Sequence, residues 1–119
     1  MLTLPIKKKW FDMIVTGKKA EEYRTIKPYY TTRLINAGLL DADGKTTTGE
    51  KVKIALRNGY SKDDPTLIAT VNLMLGKGKT EWGAVDGEFY YILNIVERHS
   101  IYIGNIEHYR YIKEGEQDG

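Results

Sequence analysis

The sequence predicts an α+β fold: a small, mostly antiparallel β-barrel with one or two helices packed against it. Three observations lead there. Strand-like segments outnumber helical ones and follow one another directly, without the helical crossovers that parallel strands require. One early segment has helical rather than alternating periodicity. The chain has 119 residues, 41% hydrophobic and 29% charged, which suits one core and supplies two poorly. No repeat or linker-like stretch divides it, so residues 1–119 are read as a single domain.

The elements follow in order. Ile6, Trp10, Met13 and Ile14 recur at the spacing of one buried helical face, which predicts a helix over 6–16 with Trp10 in the core. Gly17 suits a left-handed cap, and Lys18 and Lys19 are favourable beside the negative helix end. Residues 20–25 read as a short strand, with Ala20, Glu22 and Arg24 on one face. After Pro28, a second short helix carries Tyr29, Tyr30, Leu34 and Ile35 and ends near Gly38. Residues 41–50 read as a polar, exposed loop or hairpin tip. A strand over 51–57 turns Val52, Ile54 and Leu56 inward and Ala55 outward, and Asn58-Gly59 makes a turn. Strands follow over 67–75 and 89–96, and 100–106 holds a short strand or turn. The acidic, glycine-containing tail over 114–119 is expected to fray.

Composition excludes several functions. There is no cysteine, so disulfide scaffolds, thiol catalysis and cysteine-ligated zinc are out. His99 and His108 are badly spaced for a metal, and neither a metal nor a cofactor is expected. Walker-type and dinucleotide glycine motifs are missing, since Gly76-Lys77-Gly78-Lys79 lacks their spacing. No run approaches the ~18–20 apolar residues of a membrane helix. The first ten residues lack the apolar stretch of a secretory signal, so a cytoplasmic protein is expected.

The formal charge of +2 hides an asymmetry. Residues 1–35 carry eight basic and three acidic side chains, a net +5, while the remainder carries ten and thirteen, a net −3. A basic N-terminal third suits an anionic partner. That third also contains the densest cluster of chemistry, Gly17-Lys18-Lys19-Ala20-Glu21-Glu22-Tyr23-Arg24. A lysine beside a carboxylate, partly desolvated, can act as acid, base or phosphate clamp. Lys19 and Glu22 are three apart and would point oppositely in one regular strand. They converge only if Lys19 sits in the turn after Gly17, or if a bulge intervenes. The competing reading is a solvated, lysine-rich strand edge.

A helix leading into G-x-K-x-x-E-x-R at the head of a small β-rich domain resembles the ASCH domain of the PUA-like superfamily. The match runs through Leu4-Pro5-Ile6-Lys7 and Trp10-Phe11 to the 17–24 signature, then less specifically through the later strands to about Val96. The resemblance implies a β-barrel whose cleft binds RNA or a modified nucleoside. Some relatives hydrolyse N4-acetylcytidine with a lysine, a threonine and a glutamate. The lysine falls on Lys19, but the threonine falls on Glu22, which weakens the transfer of that activity. The third, acidic position falls among Glu81, Asp86 and Glu88.

Three readings result. The first is a binder of RNA or a nucleotide-like ligand: Lys7, Lys19, Arg24 and Arg57 neutralise the anion, Glu22 accepts hydrogen bonds, and Tyr60 or Trp82 stacks on a base. The second is an amidohydrolase acting on an N4-acylated cytidine-type nucleoside, with Lys19 as acid/base and Glu22 activating water. The third is a protein-interaction module using the tyrosine-rich surface.

Overall fold

A computed structural model describes residues 1–47 and 49–113. The elements are β1 (Thr3–Ile6), α1 (Lys8–Val15), β2 (Glu21–Thr25), α2 (Pro28–Asn36), β3 (Val52–Asn58), β4 (Thr66–Lys77), a single 3-10 turn (Thr80–Trp82), β5 (Phe89–Ile103) and β6 (Ile106–Arg110). The strands form one curled sheet, a half-barrel, in the order β1-β3-β4-β5-β2, with β6 on the far part of β5. Every pairing is antiparallel except β1 with β3. The expected frayed tail, 114–119, lies outside the described residues.

The α+β class, the antiparallel sheet and the two helices agree with the sequence-based expectation. Four details differ. Residues 3–6 form a strand, so the helix begins at Lys8 and not at Ile6. Leu4 and Ile6 are buried while Thr3 and Pro5 are exposed, which is strand alternation. Ile6 happens to lie four residues before Trp10, so it also fits a helical period. Pro5 obscured the strand, yet proline is tolerated on an edge strand such as this one. Ala55 is buried and not outward, because β3 is flanked on both sides, with Thr3 and Ile68 opposite it. Third, β5 does not stop at Val96 but runs on for fifteen residues in all. Its pairing with β4 skips Val96 and His99, and these two bulges curl the strand so that it serves β2 with one half and β6 with the other. Finally, the expected strand or turn over 100–106 is the end of β5 and its hairpin into β6.

The main core lies between the concave face of the sheet and the helices. Phe11 and Ile14 of α1 and Leu34 of α2 pack with Ile54, Leu56, Leu67, Val71 and Leu93 from the sheet. A second, smaller cluster joins Tyr23, Tyr90 and Ile92 to Ala84 and Trp82, beneath the connection between β4 and β5. Gly78 in that connection has Tyr23 so close that a Cβ would sit 2.7 Å from its ring.

Gly17 closes α1 as predicted. Its φ of +82° is the left-handed conformation that glycine adopts without strain. The amides of Lys18 and Lys19 then both donate to the Met13 carbonyl, ending the helix and aiming Lys19 back across it. Among the described residues no helix is long and apolar enough to span a membrane.

Candidate functional site

β1 and β2 are the two ends of the curled sheet. Among the described residues each pairs with only one strand, and the cleft opens between their free edges. It has a volume of about 680 Å³, within the range of small-ligand sites. α1 links the two edges, α2 forms one rim, and the turn over 80–82 forms another. Arg24 spans the gap: its Nη2 donates to the Pro5 carbonyl of β1 at 2.9 Å.

Lys19 precedes β2 and so escapes its alternation, which is the turn placement that convergence with Glu22 requires. Its side chain is fully buried, and its Nζ lies 3.2 Å from Glu22 Oε1. The same Nζ donates to the Trp82 carbonyl at 2.7 Å. The rings of Tyr23 and Trp10 cover it, with centroids at 4.7 and 5.2 Å. These contacts occupy an ammonium group that has only three N–H donors. Burial pushes the Lys19 amine below its ordinary value of 10.5, and the Glu22 carboxylate opposes that shift.

Glu22, itself buried, takes Lys19 on Oε1 and Arg24 Nη1 on Oε2, the latter at 2.9 Å. Arg24 Nη1 also donates to the Tyr23 carbonyl. The three side chains thus form a linked row, cation–anion–cation, with one net positive charge. Glu22 is the one carboxylate lining the cleft among the described residues.

Aromatic rings make up much of the remaining wall: Trp10, Tyr23, Tyr29, Tyr30, Tyr60, Trp82 and Tyr90. Cations lie against several of them. Arg33 sits 4.1 Å from the Tyr29 centroid, Lys79 4.2 Å from Trp82, and Lys27 5.3 Å from Tyr30. Tyr23 also fastens the rim. Its hydroxyl donates to Glu21 Oε1 and accepts the Lys79 amide. Burial, with the nearby Glu21 and Glu22 carboxylates, raises its phenol above the ordinary 10.0. Tyr90 holds the same connection further on, accepting the Val85 amide and donating to Glu88.

The predicted site residues fall into three groups. Glu22, Arg24, Trp82, Tyr60 and Lys7 line the cleft. Lys19 lies behind its wall, touching Glu22 without reaching the open space. Arg57 is not in the cleft: its Nε donates to Thr66 Oγ1 on the neighbouring strand, although Asn58, Gly59 and Tyr60 immediately after it do line the opening. Glu81, Asp86 and Glu88 do not line it either, and the carboxylates acting on Lys19 are Glu22 and Glu21. Trp10 is half-buried and faces the site, a correction to its reading as a core residue. Tyr29 and Tyr30 are expected only as part of a short helix, and Arg33 only as one of the eight basic residues of the N-terminal third. The one available signal was their place in the basic third.

Comparison with family models, with curated proteins and with solved structures finds no match for this chain. Among the described residues no group of three or more histidines and carboxylates is placed to hold a metal ion.

Proposed function

We propose that the chain is an ASCH-like domain of the PUA-like superfamily, and that it binds RNA or a nucleotide-like ligand in the cleft between β1 and β2. The observation that carries this reading is the composition of the wall. Seven aromatic rings and a cationic rim surround one carboxylate, which is already paired with two cations. Aromatic faces accept bases by stacking whatever their identity, and cations accept the backbone. The remaining lone pairs of Glu22 suit an N–H on a base edge.

The Lys19–Glu22 contact is what favours the amidohydrolase reading. Against it stands the burial of Lys19, whose donors are taken up by Glu22, Trp82 and two rings. A general acid or base must come within hydrogen-bond reach of the reacting group. On this reading N4-acetylcytidine mixed with the purified protein releases no acetate. Binding is tested by fluorescence anisotropy with a labelled single-stranded RNA over a salt series. Affinity should fall steeply with salt. Absence of binding at low salt, or turnover of the nucleoside that Lys19→Ala abolishes, would overturn the proposal.

A further inference from the structure

We propose that the ligand is a single-stranded oligonucleotide and not an isolated nucleotide, its backbone leaving the cleft along α2 to a second hollow at Lys53. The proposal rests on the nucleic-acid reading of the cleft and extends it. The second hollow, about 460 Å³, is lined by Arg33, Asn36 and Lys53 among others, and among the described residues by no carboxylate. Arg33 lines both hollows, which joins them at one guanidinium.

The helix supplies the path. Tyr29, Arg33 and Asn36 stand at i, i+4 and i+7, so they share one face of α2. From Tyr29 to Asn36 the helix rises about 10 Å. That is the length of roughly three stacked nucleotides at ~3.4 Å each. Arg33 is already oriented along this path, stacked on Tyr29 and donating through Nη2 to its hydroxyl at 2.9 Å. Its remaining N–H groups are left for a phosphate. Arg33, Asn36 and Lys53 are all exposed. A single nucleotide in the cleft would touch Arg33 at most, whereas a chain continuing past it meets Lys53. Acidic peptides would also be drawn to these cations, but they lack the flat bases that the aromatic wall suits.

The experiment compares hexauridylate with uridine monophosphate on the intact protein and on Lys53→Gln. The hexamer should bind at least tenfold more tightly. Lys53→Gln should weaken the hexamer severalfold, lower its salt slope by about 0.7 and leave the monophosphate unchanged. Asn36→Ala, a second exposed change on the path that adds no charge beside Arg33, should weaken the hexamer alone. Equal affinity for the two probes, or hexamer binding indifferent to both variants, would overturn the extension while leaving the cleft reading intact. A poly-glutamate peptide that competes as well as the hexamer would overturn it too. If neither probe binds the wild type, the cleft reading fails and the extension falls with it.

Discussion

Replacing Glu22 by glutamine keeps the shape of the side chain and removes its charge. Lys19 is then fully buried without its ion-pair partner. Breaking a buried pair in this way costs about 3–5 kcal/mol. The lysine sets a ceiling on that cost, because it can lose its proton. At pH 7 the ordinary value of 10.5 lies about 3.5 pH units higher, and at ~1.36 kcal/mol per unit neutralisation costs about 4.8 kcal/mol. At pH 9 the same ceiling is about 2 kcal/mol. So the part of the Glu22→Gln loss that comes from Lys19 should be about 3–5 kcal/mol at pH 7 and no more than about 2 kcal/mol at pH 9, while the part from Arg24, which stays charged throughout, should be the same at both. Urea denaturation of wild type and variant at both pH values measures this. A loss that is the same at both, or below about 0.5 kcal/mol at pH 7, would refute the account of Lys19 as a buried, carboxylate-dependent cation.

Three further outcomes are expected. Trp82→Ala removes the ring but keeps the carbonyl that holds Lys19; RNA affinity should fall by about 1–3 kcal/mol with thermal stability changed far less, and unaltered affinity would remove Trp82 from the binding wall. Tyr23→Phe should cost about 1–3 kcal/mol at neutral pH by stranding the Lys79 amide. Because folding raises the Tyr23 phenol, its contribution is complete below pH 10.0 and is lost as pH climbs through the folded value. The gap between wild type and variant should therefore narrow above pH 10.0 in denaturation measurements, and a constant gap to pH 11 would contradict this. Gly78→Ala places a Cβ 2.6 Å from that of Ala84 and 2.7 Å from the Tyr23 ring. It should lower the melting temperature and weaken RNA binding together, by displacing the connection that carries Trp82; a fully stable variant would mean that this connection yields freely.

The parts legible in the sequence are those governed by local patterns. Val52, Ile54 and Leu56 alternate over a half-buried strand, and Gly17 follows an amphipathic helix, so β3 and the end of α1 could be read directly. β1 could not, because four residues including a proline hold too short a pattern, and its partner β3 is some fifty residues away. The length of β5 was hidden by its bulges, which break alternation at Val96 and His99. At the site, the row Lys19–Glu22–Arg24 was legible because its members are neighbours in the chain. That Lys19 sits behind the wall was not, since its cover comes from Trp82 and Trp10, placed by other elements. Arg57 misled for the same reason: its side chain reaches across to Thr66, and only the fold decides which way a strand-end arginine turns.

The two sheet edges that face each other across the cleft come from one unbroken stretch, Thr3 through Thr25, in which α1 is the spacer between them. The phase of that spacer is therefore a control on the site. One residue inserted into α1 would turn its two ends relative to each other by about 100° and lengthen it by about 1.5 Å. With β1 held by β3 and β2 held by β5, residues 16–20 would take up that turn, moving Lys19 relative to Glu22 while β3 to β6 kept their pairing. The geometry of the gap between those edges is thus set by a short contiguous segment, with the long strands acting as a chassis that need not change.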